Sequence, residues 1–362
     1  MNGNASLVFD GTVVRLSYFS GRVVKKTEER DFSGILNKQF IDVDELRQVV
    51  DEMFIDILSE QKMKITNLYI TVPPEFVFSD TKNAHLSFQK TKKVSEKTRV
   101  ELLSQASDEI DGSSIIDKDI VYYRPDGGGA IYNMVGSSAT KIDAVINVVY
   151  AEKYFTQTVM DILHGVYFKN VKFVCENQAV ARYLVPTSVR DNTCVIIRSS
   201  MFTTSISVVV GESIVAMKTY GMGFVHIIND LCVVESIDHI TASALCEKAA
   251  LNVKFGVSDV YSIYHGTVRK DFSASKINQI ISSRIEEIAK EATKIISEFG
   301  EPLFKKNIFF CGGYIDNIQG AKFIMQEEIG INMEQLVCPL SSSRESDAVL
   351  SGAIAQVIAE NK

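Results

Sequence analysis

The chain has no C-x-x-C pair, no cluster of histidines, no long apolar run and no excess of basic charge. Its five histidines are dispersed through 362 residues, so the spacing indicates neither a zinc site nor a Ser-His-Asp arrangement. The six cysteines, Cys175, Cys194, Cys232, Cys246, Cys311 and Cys338, lie mostly inside apolar runs and read as buried thiols of a reducing compartment. No apolar run approaches the roughly 20 residues needed to span a bilayer. Met1 to Ser6 is polar and lacks a basic flank, so no signal peptide is expected. A net charge of −7 argues against broad binding to nucleic acid or to anionic membranes. What is present is ordinary for a soluble globular protein, with 46% hydrophobic and 23% charged residues. The length exceeds that of a usual single domain, which predicts two lobes or several subdomains.

The first region reads as strand, strand, helix, strand. Leu7 to Phe9 leads into Asp10-Gly11-Thr12, and Val13 to Phe19 forms a second strand turned at Ser20-Gly21. After a charged strand and loop, Leu46, Val49, Val50, Met53, Phe54 and Ile57 fall on one face of a helix over 42–58, with Asp42 or Asp44 at its cap. Asn67 to Val72 is a strand stopped by Pro73-Pro74. From about Asn83 to Tyr167 the composition changes. Lys90, Lys92, Lys93 and Lys97 make a basic stretch, read as the solvated start of a helix. Three strand candidates follow, 120–124, 130–135 and 144–151, and then an amphipathic run over 154–163. Asp126 to Gly129, with strand candidates on both sides, reads as a hairpin tip rather than a phosphate cradle.

The second half begins with a strand over 171–175 and a helix from Glu176 to Arg182. Residues 194–210 and 213–218 read as a meander with turns near Ser199 and Gly211. Gly221-Met222-Gly223 leads into a helix over 224–231, and 233–300 reads as mostly helical. Its last part carries the stripe Ile277, Ile280, Ile281, Ile285, Ile288 and Ile295. Ile308 to Cys311 is a buried strand that breaks at Gly312-Gly313 before a helical run from Gln319 towards Ile329. Adjacent glycines at such a switch let backbone approach a ligand, or simply make a tight turn. A final helix is expected over 348–358.

Five motifs in this order resemble the actin-like ATPase superfold. They are Asp10-Gly11-Thr12 at a first hairpin, Glu176-x-x-Ala179-x-Ala181 at a connecting helix, and Thr193 to Val210 at a second hairpin. Ile308 to Gly320 is similar to the adenosine motif, and Asp347 to Ala355 to the last packing helix. Within the superfold, Asn67 to Glu75, the 84–166 segment and Gly221 to Cys232 are similar to FtsA, the bacterial cell-division actin homologue. The resemblance implies an α/β fold of two lobes around a cleft, with an inserted subdomain, 1C, in place of actin 1B. The implied domains are 1–83 and 167–192 (1A), 84–166 (1C), 193–231 and 305–345 (2A), 232–304 (2B), and 346–362 returning to the first lobe.

The departures from that pattern bear on chemistry. The family's first hairpin has a Mg²⁺-holding Asp one residue before Gly-Thr, and Phe9 stands there in this chain, with Asp10 adjacent to Gly11. The family's second hairpin reads Asp-x-Gly-Gly-Gly-Thr, whereas this chain has Ile196-Ile197-Arg198-Ser199-Ser200-Met201-Phe202-Thr203-Thr204. Losing both carboxylates removes most protein anchoring of Mg²⁺, and Met201 and Phe202 fill space that phosphates need. The nucleotide-site candidates are Asp10, Gly11, Thr12, Arg198, Ser199, Ser200, Gly221, Gly223, Glu247, Lys248, Gly312, Gly313 and Tyr314, with Asp10 also the metal candidate. Glu176 is the one candidate for orienting water, read against a solvated cap. Glu247 and Lys248 lack the family's E-x-x-K spacing and read as surface charges. Arg198 is expected to pair with Asp10 or face solvent, with anion binding as the other role.

The resemblance therefore implies a cytoplasmic scaffold of bacterial division or envelope assembly, a degenerate ATPase rather than an enzyme, with ATP and Mg²⁺ bound weakly or not at all. Its expected partners are copies of itself or division or pilus-assembly proteins, met through 84–166. Membrane contact at the inner face of the cell membrane would go through a partner or a tail not in this sequence. Two alternatives stand beside it: a PilM-like adaptor that captures a membrane protein's cytoplasmic peptide, and an active actin-fold ATPase or kinase.

Overall fold

The computed structural model describes residues 2–336 apart from 21, 22, 62, 63 and 167, so Cys338 and the helix expected over 348–358 lie outside the described residues. The described residues divide into two compact units, one comprising 1–194 and 207–217, the other 195–206 and 218–336.

The first unit opens with β1 (Asn2–Asp10), β2 (Val13–Ser20), β3 (Val23–Asp31), the short pair β4 (Ile35–Leu36) and β5 (Gln39–Phe40), α1 (Val43–Gln61) and β6 (Lys64–Val72). A three-residue 3₁₀ turn at Pro74–Phe76 leads to β7 (Val77–Lys93), α2 (Glu96–Ser104), β8 (Ser113–Pro125), β9 (Ser138–Glu152) and α3 (Lys153–Ile162). It continues with β10 (Asn170–Cys175), α4 (Glu176–Leu184) and α5 (Thr187–Arg190). Besides the β4-β5 pair, two larger sheets result, β10-β6-β1-β2-β3 and the separate three-stranded β7-β9-β8. β1 pairs antiparallel with β2 and parallel with β6, which in turn pairs parallel with β10. Such parallel neighbours need a crossover, and α1 supplies it between β1–β3 and β6. Phe9, Phe40, Phe76 and Phe155 form one aromatic cluster, with Phe76 and Phe155 centroids 4.9 Å apart.

The three-stranded sheet has its own core of Ala84, Leu102, Tyr123, Met134, Ile142, Ile146 and Tyr150. The basic stretch is corrected here: Lys90, Lys92 and Lys93 end β7, and only Lys97 lies on the helix, which Ser95 caps through its hydroxyl. The strand expected over 130–135 is also corrected. Ile131 makes a single bridge to Tyr123, while Met134 is buried in this core. An apolar run of that length serves as a plug as readily as a strand.

The chain then forms β11 (Cys194–Ser199), β12 (Thr204–Val210), β13 (Ser213–Tyr220), α6 (Phe224–Glu235), α7 (His239–Lys248), β14 (Val260–His265), β15 (Val268–Ser273) and α8 (Ala274–Phe299). β16 (Asn307–Cys311), α9 (Ala321–Ile329) and β17 (Met333–Gln335) complete the described residues. The strands order as β13-β12-β11-β16-β17, with β14-β15 a separate hairpin. That hairpin interrupts the segment expected to be mostly helical. Tyr261 and Ile263 are buried while Val260 and Tyr264 are exposed, an alternation of strand period. α8 buries Ile277, Ile281, Ile285, Ile288 and Ile295 against α6, α7 and β16 residues in one cluster.

Candidate functional site

In the first unit, β1 and β2 are joined by Gly11 and Thr12, since Asp10 and Val13 are the last ladder pair. Gly11 has φ +64°, which a two-residue hairpin turn requires. Its carbonyl accepts from Ile35 N (3.3 Å), and that of Thr12 accepts from Phe32 N (2.9 Å). Phe9, where a metal carboxylate would stand, is buried with its ring 5.6 Å from that of Phe155. Strand alternation puts Asp10 on the opposite face, and it too is buried.

Glu176 opens α4, where a helix N-terminus favours a carboxylate. It is only 1% exposed, which corrects the solvated-cap reading: β10 delivers the chain into the interior before the helix begins. Its neighbours face inward as well. Asn177 Nδ2 donates to Ser207 Oγ (2.8 Å), and Gln178 Nε2 donates to Asp117 Oδ2 (2.7 Å) and Glu212 O (3.0 Å).

In the second unit, the turn between β11 and β12 closes with Ser200 N donating to Thr203 O (2.8 Å). The first amides of α6 then point at this turn: Phe224 N donates to Ser200 O (3.1 Å) and Val225 N to Met201 O (2.8 Å). Gly223 makes the approach possible, because a Cβ there would lie 2.6 Å from Ser200 O and 2.7 Å from Thr203 N. Thr204 Oγ1 donates to Met222 O (2.7 Å) and fixes the other side. Arg198 is 2% exposed, so the solvent-facing alternative is corrected.

The Gly312-Gly313 turn packs on β11, and a Cβ at Gly312 would overlap Ser199 O. Gly312 and Gly313 have φ +140° and +85°, both in the region that favours glycine. The α-helix does not start directly after them. A 3₁₀ turn, Ile315–Asn317, intervenes, and Asp316 Oδ1 accepts from Gly313 N (2.6 Å) and Tyr314 N (3.0 Å). Asn317 Nδ2 donates to Gly313 O (2.8 Å), and the Tyr314 ring lies 5.6 Å from Phe224. Burial pushes the Asp316 carboxyl up to about 6, against the opposing pull of these amides and of the Arg198 charge.

The fold thus gathers Arg198, Ser199, Ser200, Gly223, Gly312, Gly313 and Tyr314 within one unit. Gly221 is exposed beside them, and Glu247 and Lys248 face solvent at the end of α7, where Lys248 Nζ donates to Ser262 O (2.7 Å). Asp316 was missed by sequence reasoning, although an Asp three residues after Gly313 is well spaced to cap its amide. Thr204 gave no such signal. Amides of the kind that hold phosphates in helix N-termini and glycine turns are bonded in this unit to the chain's own carbonyls and carboxylate. No His, Cys, Asp or Glu group suited to a metal ion occurs among the described residues. No helix among them is long and apolar enough to cross a membrane.

No protein-family model matches the chain, and no curated protein matches it. Solved structures do match, over nearly the full length. The PilM-PilN type IV pilus biogenesis complex aligns at TM-score 0.63 and 14% identity, covering 98% of each chain. MreB 5 of Spiroplasma citri bound to AMPPNP aligns at TM-score 0.60 and 12% identity, over 100% of this chain and 98% of that one. The ethanolamine utilization protein EutJ from Carboxydothermus hydrogenoformans aligns at 0.58 and 11%, over 98% and 90%. With these neighbours and its two sheet-based units, the chain has the actin-like ATPase fold.

Proposed function

We propose that this protein is an FtsA-like scaffold of bacterial cell division or envelope assembly, working through its surfaces rather than through ATP turnover. The observation that carries this reading is the self-occupation of the nucleotide loops. Phe224 and Val225 amides are bonded to Ser200 and Met201 carbonyls, and Gly313 and Tyr314 amides to Asp316. A phosphate entering there must displace those partners, each replacement costing about 1–3 kcal/mol if the displaced group stays buried and unpaired. Phe9 in place of a carboxylate weakens any hold on Mg²⁺ in addition. In this reading residues 84–166 are the inserted 1C-type subdomain that meets other copies or assembly partners, flanked by 1–83 and 167–192. Residues 193–231 and 305–345 form the second lobe, 232–304 its helical subdomain, and 346–362 the returning segment. The protein then acts in the cytoplasm, reaching the membrane's inner face through a partner.

Isothermal titration calorimetry with ATP–Mg²⁺ tests the reading. The expected Kd is weaker than about 100 µM, a binding free energy smaller than about 5.5 kcal/mol, with no hydrolysis above background. Micromolar, Mg²⁺-dependent binding sinks the degenerate-site reading and favours the active actin-fold ATPase or kinase instead.

A second reading, a PilM-like adaptor, is supported by the end-to-end likeness to the chain from a PilM-PilN complex. The two separate experimentally. An adaptor stays monomeric and binds a cytoplasmic peptide of an inner-membrane protein, whereas the division scaffold self-associates.

A further inference from the structure

Sequence spacing gives no hint of a Ser-His-Asp arrangement, yet strand pairing builds one. His85 lies on β7 directly opposite Asp143 of β9, and Ser87, two residues on, shares the face of His85. His85 Nδ1 is 2.8 Å from Asp143 Oδ1, and His85 Nε2 is 2.8 Å from Ser87 Oγ. An ionised carboxylate only accepts, so Nδ1 carries the proton and Nε2 faces the hydroxyl as an acceptor. Hydrogen bonds from His85 and Lys141 hold the Asp143 carboxyl below the usual carboxylate range, which keeps it in that accepting form. The backbone of His85 is fixed too: Gln105 accepts from its N–H (2.9 Å) and donates to its carbonyl (3.0 Å), closing the strand edge.

A cavity of about 390 Å³ is lined by His85, Asp143, Gln105, Asn83, Tyr122 and Arg124, and Ser87 stands next to it, outside the lining, through its bond to His85. Arg124 is in register with Asp143 on the far side of β9 and stacks its guanidinium 5.1 Å from the Tyr122 ring centroid. Lys141 pairs with Ser87 across the ladder and places Nζ 3.1 Å from Asp143 Oδ2. The β7–β9 ladder skips from Ser87 to Lys92, so the amides just after Ser87 are not committed to β9.

We propose that Ser87, His85 and Asp143 form an acyl-transfer site for small carboxylic esters that carry an anionic group. The Ser87 oxygen bonds to the ester carbon as its proton passes to His85 Nε2. The carbon–oxygen bond to the alcohol then breaks, and the alcohol leaves with that proton, giving an acyl-serine. Water attacks the acyl carbon, gives a proton to Nε2, and the serine oxygen departs and recovers it, releasing the acid. Asp143 is a positioning residue that holds the imidazole tautomer. Lys141 supplies positive charge and the uncommitted amides supply N–H donors for the oxyanion, and Arg124 holds the anionic end. The mere-ladder alternative, a cross-strand pair that only stabilises the sheet, predicts the same distances and no reactivity.

The test uses the full chain with p-nitrophenyl acetate, mono-p-nitrophenyl succinate and a fluorophosphonate label. Expected are turnover of both esters above buffer, faster for the succinate, and a label mapped to Ser87 by peptide mass. Ser87→Ala abolishes both, and His85→Gln lowers turnover about 100-fold, the scale of a general base. Arg124→Ala erases the preference for succinate. Because these side chains are exposed on a sheet, circular dichroism of each variant should match the parent. A parent that takes no label, or a Ser87→Ala variant that keeps the parent's rate, overturns the proposal; equal rates for the two esters overturn the anion preference. None of these results depends on the scaffold reading.

Discussion

Asp316 is the residue whose surroundings most constrain its chemistry. Its carboxyl is buried, it holds two amides of the glycine turn, and its pKa is pushed up to about 6 from an ordinary 3.8. A folded-state pKa above the unfolded one means that the native state binds the extra proton between those values. Stability from this group is then fully present below about pH 4 and lost as pH rises through 6. Replacing it by Asn keeps an acceptor for the amides and removes the titration. In urea denaturation, wild type minus Asp316→Asn should therefore become less favourable by about 2 kcal/mol between pH 4 and pH 7. A flat difference across that range contradicts the account. Gly312→Ala tests the same turn from its backbone. With φ +140° and Ser199 O where the methyl would sit, it should cost about 3 kcal/mol or more, read as a lower urea midpoint.

Among the elements, β8 and α4 are joined by ion pairs and hydrogen bonds. Arg182 of α4 reaches Asp117 and Asp119 of β8, each at 3.2 Å, and Glu212 O at 3.1 Å. Asp119 also receives Arg99 of α2 (2.8 Å), and Glu212 receives Arg190 (2.8 Å). Arg182→Ala leaves two carboxylates short of one partner, an effect of about 2 kcal/mol for hydrogen bonds to charged groups. Hydrogen exchange should quicken in β8 around Asp117 to Val121 while α8 is unchanged. Uniform exchange across both elements would show that the network does not fasten the three-stranded sheet.

For the whole molecule, the three-stranded sheet is a unit with its own core, so its removal need not unfold the rest. Phe155 on α3 packs on Phe9 and Phe76 and must be kept. A deletion of 77–152 closed by a short flexible linker should keep a cooperative melt while losing self-association or partner capture. The association should weaken with salt, since Lys90, Lys92 and Lys93 sit at the end of β7 on an otherwise acidic chain. Sedimentation velocity of the parent and the deletion reads this directly. If the deletion associates as the parent does, this sheet is not the interaction surface.

The sequence by itself determined the elements whose signals are local. The 3.6-residue stripe of Leu46, Val50, Met53 and Ile57 gave α1, the isoleucine stripe gave α8, and Gly312-Gly313 marked the end of β16. The ordered motifs reached the actin-like fold through their resemblance to that superfold, because the turns and short strands that carry it are local features of the chain. The β14–β15 hairpin was legible in the alternation at Tyr261 and Ile263 but was hidden between two helical runs. What only the tertiary structure decided was pairing and burial. That Arg198 and Glu176 are interior residues, that Asp316 takes the amides of the glycine turn, and that Asp143 faces His85 all depend on which segments meet. Local propensity does not encode register between strands 58 residues apart, as His85 and Asp143 are. Register follows from the whole set of hydrophobic faces being buried at once.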